Sequence, residues 1–349
     1  MAKSKTEIRD LILNFISLNP KCSSKEIYDG LQNDFGYATI KRTLQVLITE
    51  KHLLVAGRGK STKYVLSPNY ELVRNIEVQD YFKQEIDERK IKDQFNHSLI
   101  KETLSKVSFF TETELKHLAT LQIQYKKNIS NLTETEYKKE LERLSIDLSW
   151  KSSQIEGNTY SLLETEKLLK DKETASGKTK DEAVMLLNHK AALDFIIDHP
   201  KYVSPLSVKS IEDIHSLLAK DLGIDRNIRK RKVGISGTNY RPLDNEFQIK
   251  EALTDLCDLV NKQKNVFTKA LLVLILISYI QAFADGNKRT ARIISNAILM
   301  NNNYCPISFR TVDSIDYKKA MLIFYEQNNI SAFKKIFITQ FEFAVKTYF

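Results

Sequence analysis

Glycine, proline and tryptophan are scarce in this chain, with 10, 6 and 1 among 349 residues. So few turn-formers argue against a turn-rich β architecture and favour a mainly α protein. Cysteine is too sparse for a disulfide framework. Cys22, Cys257 and Cys305 are odd in number, widely spaced and lack metal-type pairing, which points to core thiols in a reducing compartment. No basic stretch followed by an apolar one opens the sequence, so no secretory leader is expected. The apolar run at 270–280 is too short to span a bilayer. The expected location is cytoplasmic, without membrane contact.

What is present suits a soluble globular protein: 42% hydrophobic and 9% aromatic residues in a length that accommodates two domains. The net charge of +9 permits nucleic-acid binding without demonstrating it.

Ile8, Leu11, Ile12, Phe15 and Ile16 mark one face of a first helix. Ser23-Ser24 reads as an N-cap joined by Glu26 before a second helix over 25–31, and a third is expected over 39–50. An extended stretch at 53–56, a turn at Arg58-Gly59-Lys60 and a return strand at 62–66 follow. Three helices and a basic-tipped hairpin resemble a winged helix-turn-helix domain, assigned to residues 1–70. This segment holds eleven Lys/Arg against six Asp/Glu, a net of +5. Thr39, Lys41, Arg42 and Gln45 are candidates to face a major groove, with Arg58, Lys60 and Lys63 where a wing meets phosphate. The alternative use of such a module is protein contact. Residues 71–130 are charged and helix-prone, and are expected to be a connector without a site of its own.

Residues 281–292 read Gln-Ala-Phe-Ala-Asp-Gly-Asn-Lys-Arg-Thr-Ala-Arg, directly after the apolar run. Helix N-termini bind phosphates through unpaired N–H groups and the helix dipole. Gly286 permits close backbone approach, Asn287 stabilises a turn, and Arg289 and Arg292 suit multidentate oxygen contacts. The segment resembles the signature of the Fic (Fido) family, His-x-Phe-x-(Asp/Glu)-Gly-Asn-(Gly/Lys)-Arg-x-x-Arg, whose members commonly transfer AMP from ATP to a protein Ser, Thr or Tyr hydroxyl. The resemblance implies an anion hole from Asp285, Gly286, Asn287 and Lys288, Mg²⁺ at Asp285, and Arg289 and Arg292 on the β- and γ-phosphates of ATP. Asn296, one turn further on, is placed either against the nucleoside or in solvent.

Upstream, Leu141, Leu144, Ile146, Leu148 and Trp150 mark an amphipathic helix from about residue 134, which Gly157 is placed to end in a left-handed conformation. Its last residues, Ser152 to Gly157, resemble the family's inhibitory motif, (Ser/Thr)-x-x-x-Glu-(Gly/Asn). By that resemblance Glu156 pairs with Arg292 and blocks the γ-phosphate, in the self-inhibited class with an N-terminal inhibitory helix. Residues 233–242 resemble the family's β-hairpin flap, which implies that Val233, Ile235, Gly237, Thr238 and Tyr240 align a target protein by backbone pairing. The resulting expectation is a helical Fic domain over 131–349 with a small β-hairpin flap, preceded by the winged helix. A homodimer through either part is a further expectation.

One position departs from the family pattern. Gln281 stands where the family has its catalytic histidine, and an amide cannot accept the hydroxyl proton. Loss of a general base costs roughly 10²- to 10⁴-fold. Of six histidines, His215 is the candidate replacement by domain, with a satisfied helix histidine the better reading for it. Three readings follow: an Mg-ATP-binding protein of adenylyltransferase lineage with impaired transfer, an active enzyme carrying an engineered change, or a non-enzymatic ATP-responsive DNA-binding regulator.

Overall fold

The computed structural model describes residues 5–31 and 35–349. They form two compact units, Met1–Arg74 and Asn75–Phe349.

In the first unit, α1 (Lys5–Leu18), α2 (Ser24–Gly30) and α3 (Tyr37–Thr49) precede β1 (Leu53–Ala56), β2 (Lys63–Leu66) and a short α4 (Pro68–Val73). Ser23 caps α2, and Glu26 returns a bond to the Ser23 N–H, which closes the expected capping box. β1 and β2 pair antiparallel, Leu53 opposite Leu66. Ile8, Ile12, Ile16, Ile27, Ile40, Leu44, Leu47 and Leu53 make one core.

The second unit is helical. It contains the single-turn α5 (Val78–Tyr81), then α6 (Glu112–Ser130), α7 (Glu134–Ile155), α8 (Leu162–Asp171), α9 (Lys180–Asp198), α10 (Val208–Leu218) and α11 (Glu246–Lys262). α12 (Val266–Ile280), α13 (Asn287–Asn301), α14 (Ser314–Gln327) and α15 (Ser331–Thr347) complete it. α12 is apolar all round and buried from Ala270 to Ile280, as a helix must be when neighbours cover every face. α13 lies along α12, with the Ser295 hydroxyl donating to the Ala270 carbonyl at 3.0 Å. No helix of the described residues is long and apolar enough to cross a membrane.

Residues 75–130, expected as a connector, pack into this unit. Phe95, Leu99, Ile100, Leu104, Phe109, Phe110, Leu118 and Leu121 are all buried, and burying that much apolar surface outweighs the tendency of the intervening charges to stay in water. The flap also takes another form than a hairpin. Residues 232–240 hold a turn at Ser236-Gly237 and no strand or ladder of their own, and β1–β2 is the one sheet among the described residues. Gly237, at φ 88°, makes the turn, and side chains and the segment before α6 take the place of a partner strand.

α7 begins at a capping box between Thr133 and Glu136, ends with Glu156 as its C-cap, and passes into Gly157 at φ 102°. Replacing Thr133 by Ala removes a side-chain cap worth about 1 kcal/mol. The expected outcome in thermal melts is a transition lowered by roughly 2–4 °C, with Thr133→Ser restoring it.

Candidate functional site

The site is built where α12 stops. Gln281 caps α12 in the left-handed region at φ 52°, ψ 55°, which turns the chain sharply toward α13. Asn287 closes the turn: its Oδ1 accepts from the Phe283 N–H at 2.9 Å and its Nδ2 donates to the Phe283 carbonyl at 2.8 Å. Nδ2 also lies 3.1 Å from Gln281 Oε1, while Gln281 Nε2 donates to the Ser278 carbonyl at 2.6 Å. The amide is therefore held at both ends by its own loop.

Gly286 then caps α13 at φ 81°, a value that disfavours any Cβ. The Asp285 carboxylate accepts from the Gly286 N–H at 2.6 Å and from Arg289 Nη2 at 2.9 Å. Arg289 and Arg292 are 1% and 0% exposed. Arg289 Nε and Nη1 have no hydrogen-bond partner among the described residues, so this buried guanidinium is only half satisfied by protein.

Arg292 is met from α7. Its Nε donates to Ser152 Oγ at 2.8 Å, and its Nη2 to the Ser152 carbonyl at 2.9 Å and to Glu156 Oε1 at 2.8 Å. Its guanidinium also lies 5.2 Å from the centre of the Tyr317 ring. The other Glu156 oxygen accepts from Lys288 Nζ at 3.2 Å. Burial opposes ionisation of Glu156, but Arg292 and then Lys288 outweigh it and hold its pKa down at about 2. The Lys288 contact has no motif of its own in the sequence, although a lysine four residues before Arg292 on one helix lies on the same face.

A cavity of about 380 Å³ opens beside this cluster. Its walls are Ile155 and Glu156 of α7, Gly234, Ile235 and Ser236 of the flap, Gln281, residues 284–288, and Lys318, Met321, Leu322 and Tyr325 of α14. The α14 contribution had no motif to announce it. Of the expected flap residues Ile235 lines the cavity, whereas Tyr240 is turned into the core and donates to the Tyr279 carbonyl at 3.1 Å. Thr238 accepts from the Tyr240 N–H at 3.1 Å, and Val233 is half-buried outside the lining.

Two histidines and one asparagine resolve as structure. His215 stacks on Phe283 at 3.7 Å, with its ring nitrogens 3.3 and 3.0 Å from the Arg226 and Asp285 carbonyls. Burial holds its pKa down despite those carbonyls, and it is not among the cavity-lining residues. His189, also buried, has its pKa lowered by burial and then by Arg292 and Arg289. Asn296 is buried away from solvent and is not among the cavity-lining residues; it clamps Ile307, donating to its carbonyl at 3.0 Å and accepting from its N–H at 2.7 Å.

No group of three or more His, Cys, Asp or Glu among the described residues could hold a metal unaided. Asp285 alone, 60% exposed in its side chain, fits a magnesium ion carried mainly by phosphate oxygens. In the first unit Thr39, Lys41, Arg42 and Gln45 are exposed on α3, and Arg58 is exposed at the hairpin tip. Lys63 pairs with Glu26 at 2.7 Å, and the Lys60 side chain lies outside the described residues.

The cavity is thus lined by the N-terminal turn of α13 and by Glu156, with Arg289 and Arg292 buried behind that wall. Residues 205–299 match the model of the Fic/DOC family. Sequence relatives include protein adenylyltransferase fic-1 of Caenorhabditis elegans, 26% identical over 159 residues, which is 44% of this chain and 31% of the relative. Protein adenylyltransferase Fic of Nematostella vectensis is 28% identical over 181 residues, 48% of this chain and 40% of that one. The chain thus spans only 31% and 40% of the length of these curated relatives. The fold is similar to that of Fic-1 (aa134–508) from C. elegans, with TM-score 0.59 and 21% identity over 68% of this chain and 72% of that one. It is also similar to a Fic domain containing signaling protein from Bacteroides thetaiotaomicron, with TM-score 0.56 and 20% identity over 66% and 94%.

The depressed pKa of Glu156 fixes a sign. A carboxylate at about 2 in the folded state, against 4.5 ordinarily, contributes stability that is complete above pH 4.5 and is lost as the pH falls toward 2. Denaturant melts across that window are expected to fall less steeply for Glu156→Gln than for the parent; equal slopes would sink the ion-pair assignment.

Proposed function

We propose that the second unit binds Mg-ATP at residues 285–292, restrained by Glu156, and that its capacity to transfer AMP is reduced by Gln281. The observation that carries this reading is the shared hold of Arg292 and Lys288 on the Glu156 carboxylate at 2.8 and 3.2 Å. An anion is thereby already seated where the resemblance expects phosphate. Charge supports the ligand class. Lys288, Arg289, Arg292 and Lys318 oppose Glu156 and Asp285 in and behind the cavity wall, four cations against two carboxylates. The remainder of +2 balances ATP⁴⁻ carrying one Mg²⁺.

In this reading Asp285 and the phosphates hold the magnesium, which supplies charge neutralisation. The N-terminal turn of α13 would meet phosphate oxygens with its unpaired N–H groups, and Arg289, whose Nε and Nη1 lack partners, would add its charge from behind the wall. Transfer joins a target hydroxyl oxygen to the α-phosphorus, expels pyrophosphate and releases the hydroxyl proton. Gln281 cannot take that proton. Its amide hydrogens are engaged by Ser278, and Tyr325, 3.4 Å away, has its pKa raised by burial. The site is accordingly a nucleotide binder in which one group, the base, is missing.

A second reading, an ATP-responsive DNA-binding regulator, is favoured by the exposure of Thr39, Lys41, Arg42 and Gln45 along one face of α3 with Arg58 at the hairpin tip.

Glu156→Gly is expected to tighten Mg-ATP binding by about tenfold or more in calorimetry, since it removes a charge-assisted competitor; unchanged affinity would count against the restraint. With α-phosphate-labelled ATP, labelling of protein is expected when Glu156→Gly is combined with Gln281→His and not with Glu156→Gly alone. Labelling with Gln281 retained would mean that another group supplies the base. For the second reading, the full chain is expected to shift duplex DNA with an affinity that falls as salt rises. No shift at low salt across varied duplexes would remove DNA from the account.

A further inference from the structure

Residues 81–96 lack a motif and a helical period, yet they carry a buried ion pair. The side chains of Arg89 and Glu326 are 3% and 1% exposed. Arg89 Nη1 donates to both Glu326 oxygens at 3.0 and 3.1 Å, while Nη2 donates to the Gly237 carbonyl at 2.9 Å. The Tyr81 hydroxyl adds a bond to Glu326 at 2.6 Å. One guanidinium thus ties the turn of the flap to α14, one residue beyond Tyr325 of the cavity wall.

The same segment grips the flap twice more. Asp87 accepts from the Asn239 amide at 2.8 Å. The Arg241 N–H donates to the Asp93 carbonyl at 2.8 Å, the two side chains pair, and Gln94 and Arg241 form an isolated parallel bridge. Underneath, Phe95 stacks on Tyr279 at 4.8 Å, Tyr279 on Tyr240 at 5.0 Å, and Tyr240 on Tyr325 at 5.6 Å. Where these ties reach the flap, they fall on residues 237–241. The backbone of residues 233–236, which includes the cavity-facing part, makes no backbone hydrogen bond among the described residues. The flap is therefore divided into a clasped half and a half whose edge is open.

Exposed contacts would suffice to hold a loop loosely. Burying an arginine and a glutamate removes both from water, a cost that apolar packing would avoid, so the pair is better understood as setting geometry than as adding stability. Arg suits that task because its planar fork presents two groups of donors at a fixed angle. We propose that residues 81–96 form a clasp that fixes the height of the flap over the cavity, with Arg89 as the positioning residue. The clasp does not rest on the nucleotide-transfer reading above.

Hydrogen exchange followed by mass spectrometry on the full chain tests it without any activity. In Arg89→Met, amides over 237–241 are expected to exchange about tenfold faster or more, with those of α12 and α13 unchanged. Arg89→Lys keeps a charge for Glu326 but cannot fork to Gly237, so it should restore the melting temperature of Arg89→Met without restoring flap protection. Should Arg89→Met fail to fold, Asp87→Ala combined with Asp93→Ala cuts only the exposed ties, and faster exchange over 237–241 is again expected. Parent-like flap exchange in the folded variants, or restoration of flap protection by Arg89→Lys, overturns the proposal. Failure of the parent to bind Mg-ATP in calorimetry would instead strike the nucleotide reading and leave the exchange result standing.

Discussion

Two arginines at the start of α13 are buried, and a buried guanidinium is tolerated only when its charge is answered. That requirement organises the second unit. Asp285 answers Arg289 within one turn, while Arg292 is answered from another helix altogether, through Ser152 and Glu156 of α7. α12, uniformly apolar, is the rigid floor against which α13 keeps both side chains in place. Without that floor the arginines would reach water and lose their directional character.

Under the proposed function the same demand would make Glu156 exchangeable: its carboxylate and a phosphate oxygen would offer Arg292 the same kind of bond, and occupancy would be decided by differential affinity. Lys288 alters the balance from both sides, since it attracts the carboxylate and would attract phosphate equally. Glu156 is also the C-cap of α7, followed by Gly157 in the left-handed region, so in the proposed function its side chain would exchange partners at the end of a formed helix.

Legibility from the sequence followed the distance over which a feature is determined. The capping box of Ser23 and Glu26, the end of α7 at Gly157 and the turn at Gly286 depend on residues within four positions, and each is readable as local chemistry. The pairing of Glu156 with Arg292 spans 136 positions and was reachable only because two motifs resemble those of a known family. Arg89 and Glu326 are 237 positions apart with no motif at either end, so nothing in residues 75–110 distinguished a clasp from a solvated connector. Asn296 shows the same limit. One polar residue on a helix reads identically whether it meets a ligand, solvent or, as here, the backbone of Ile307. The flap illustrates another: an extended stretch with a turn predicts strand-like backbone, not whether a ladder or side-chain ties will satisfy it.

The left-handed backbone at Gln281 narrows what substitution can do there. β-Branched side chains are strongly disfavoured at such φ and ψ, whereas Asn, Asp and His are the non-glycine residues enriched in that region. An imidazole and an amide can therefore trade places without remaking the loop, because the shape of the turn is inherited from α12 and Asn287 and not from the side chain itself. Under the proposed function, chemistry at this position would be separable from architecture: one substitution could silence or restore a reaction while the protein around it continues to fold.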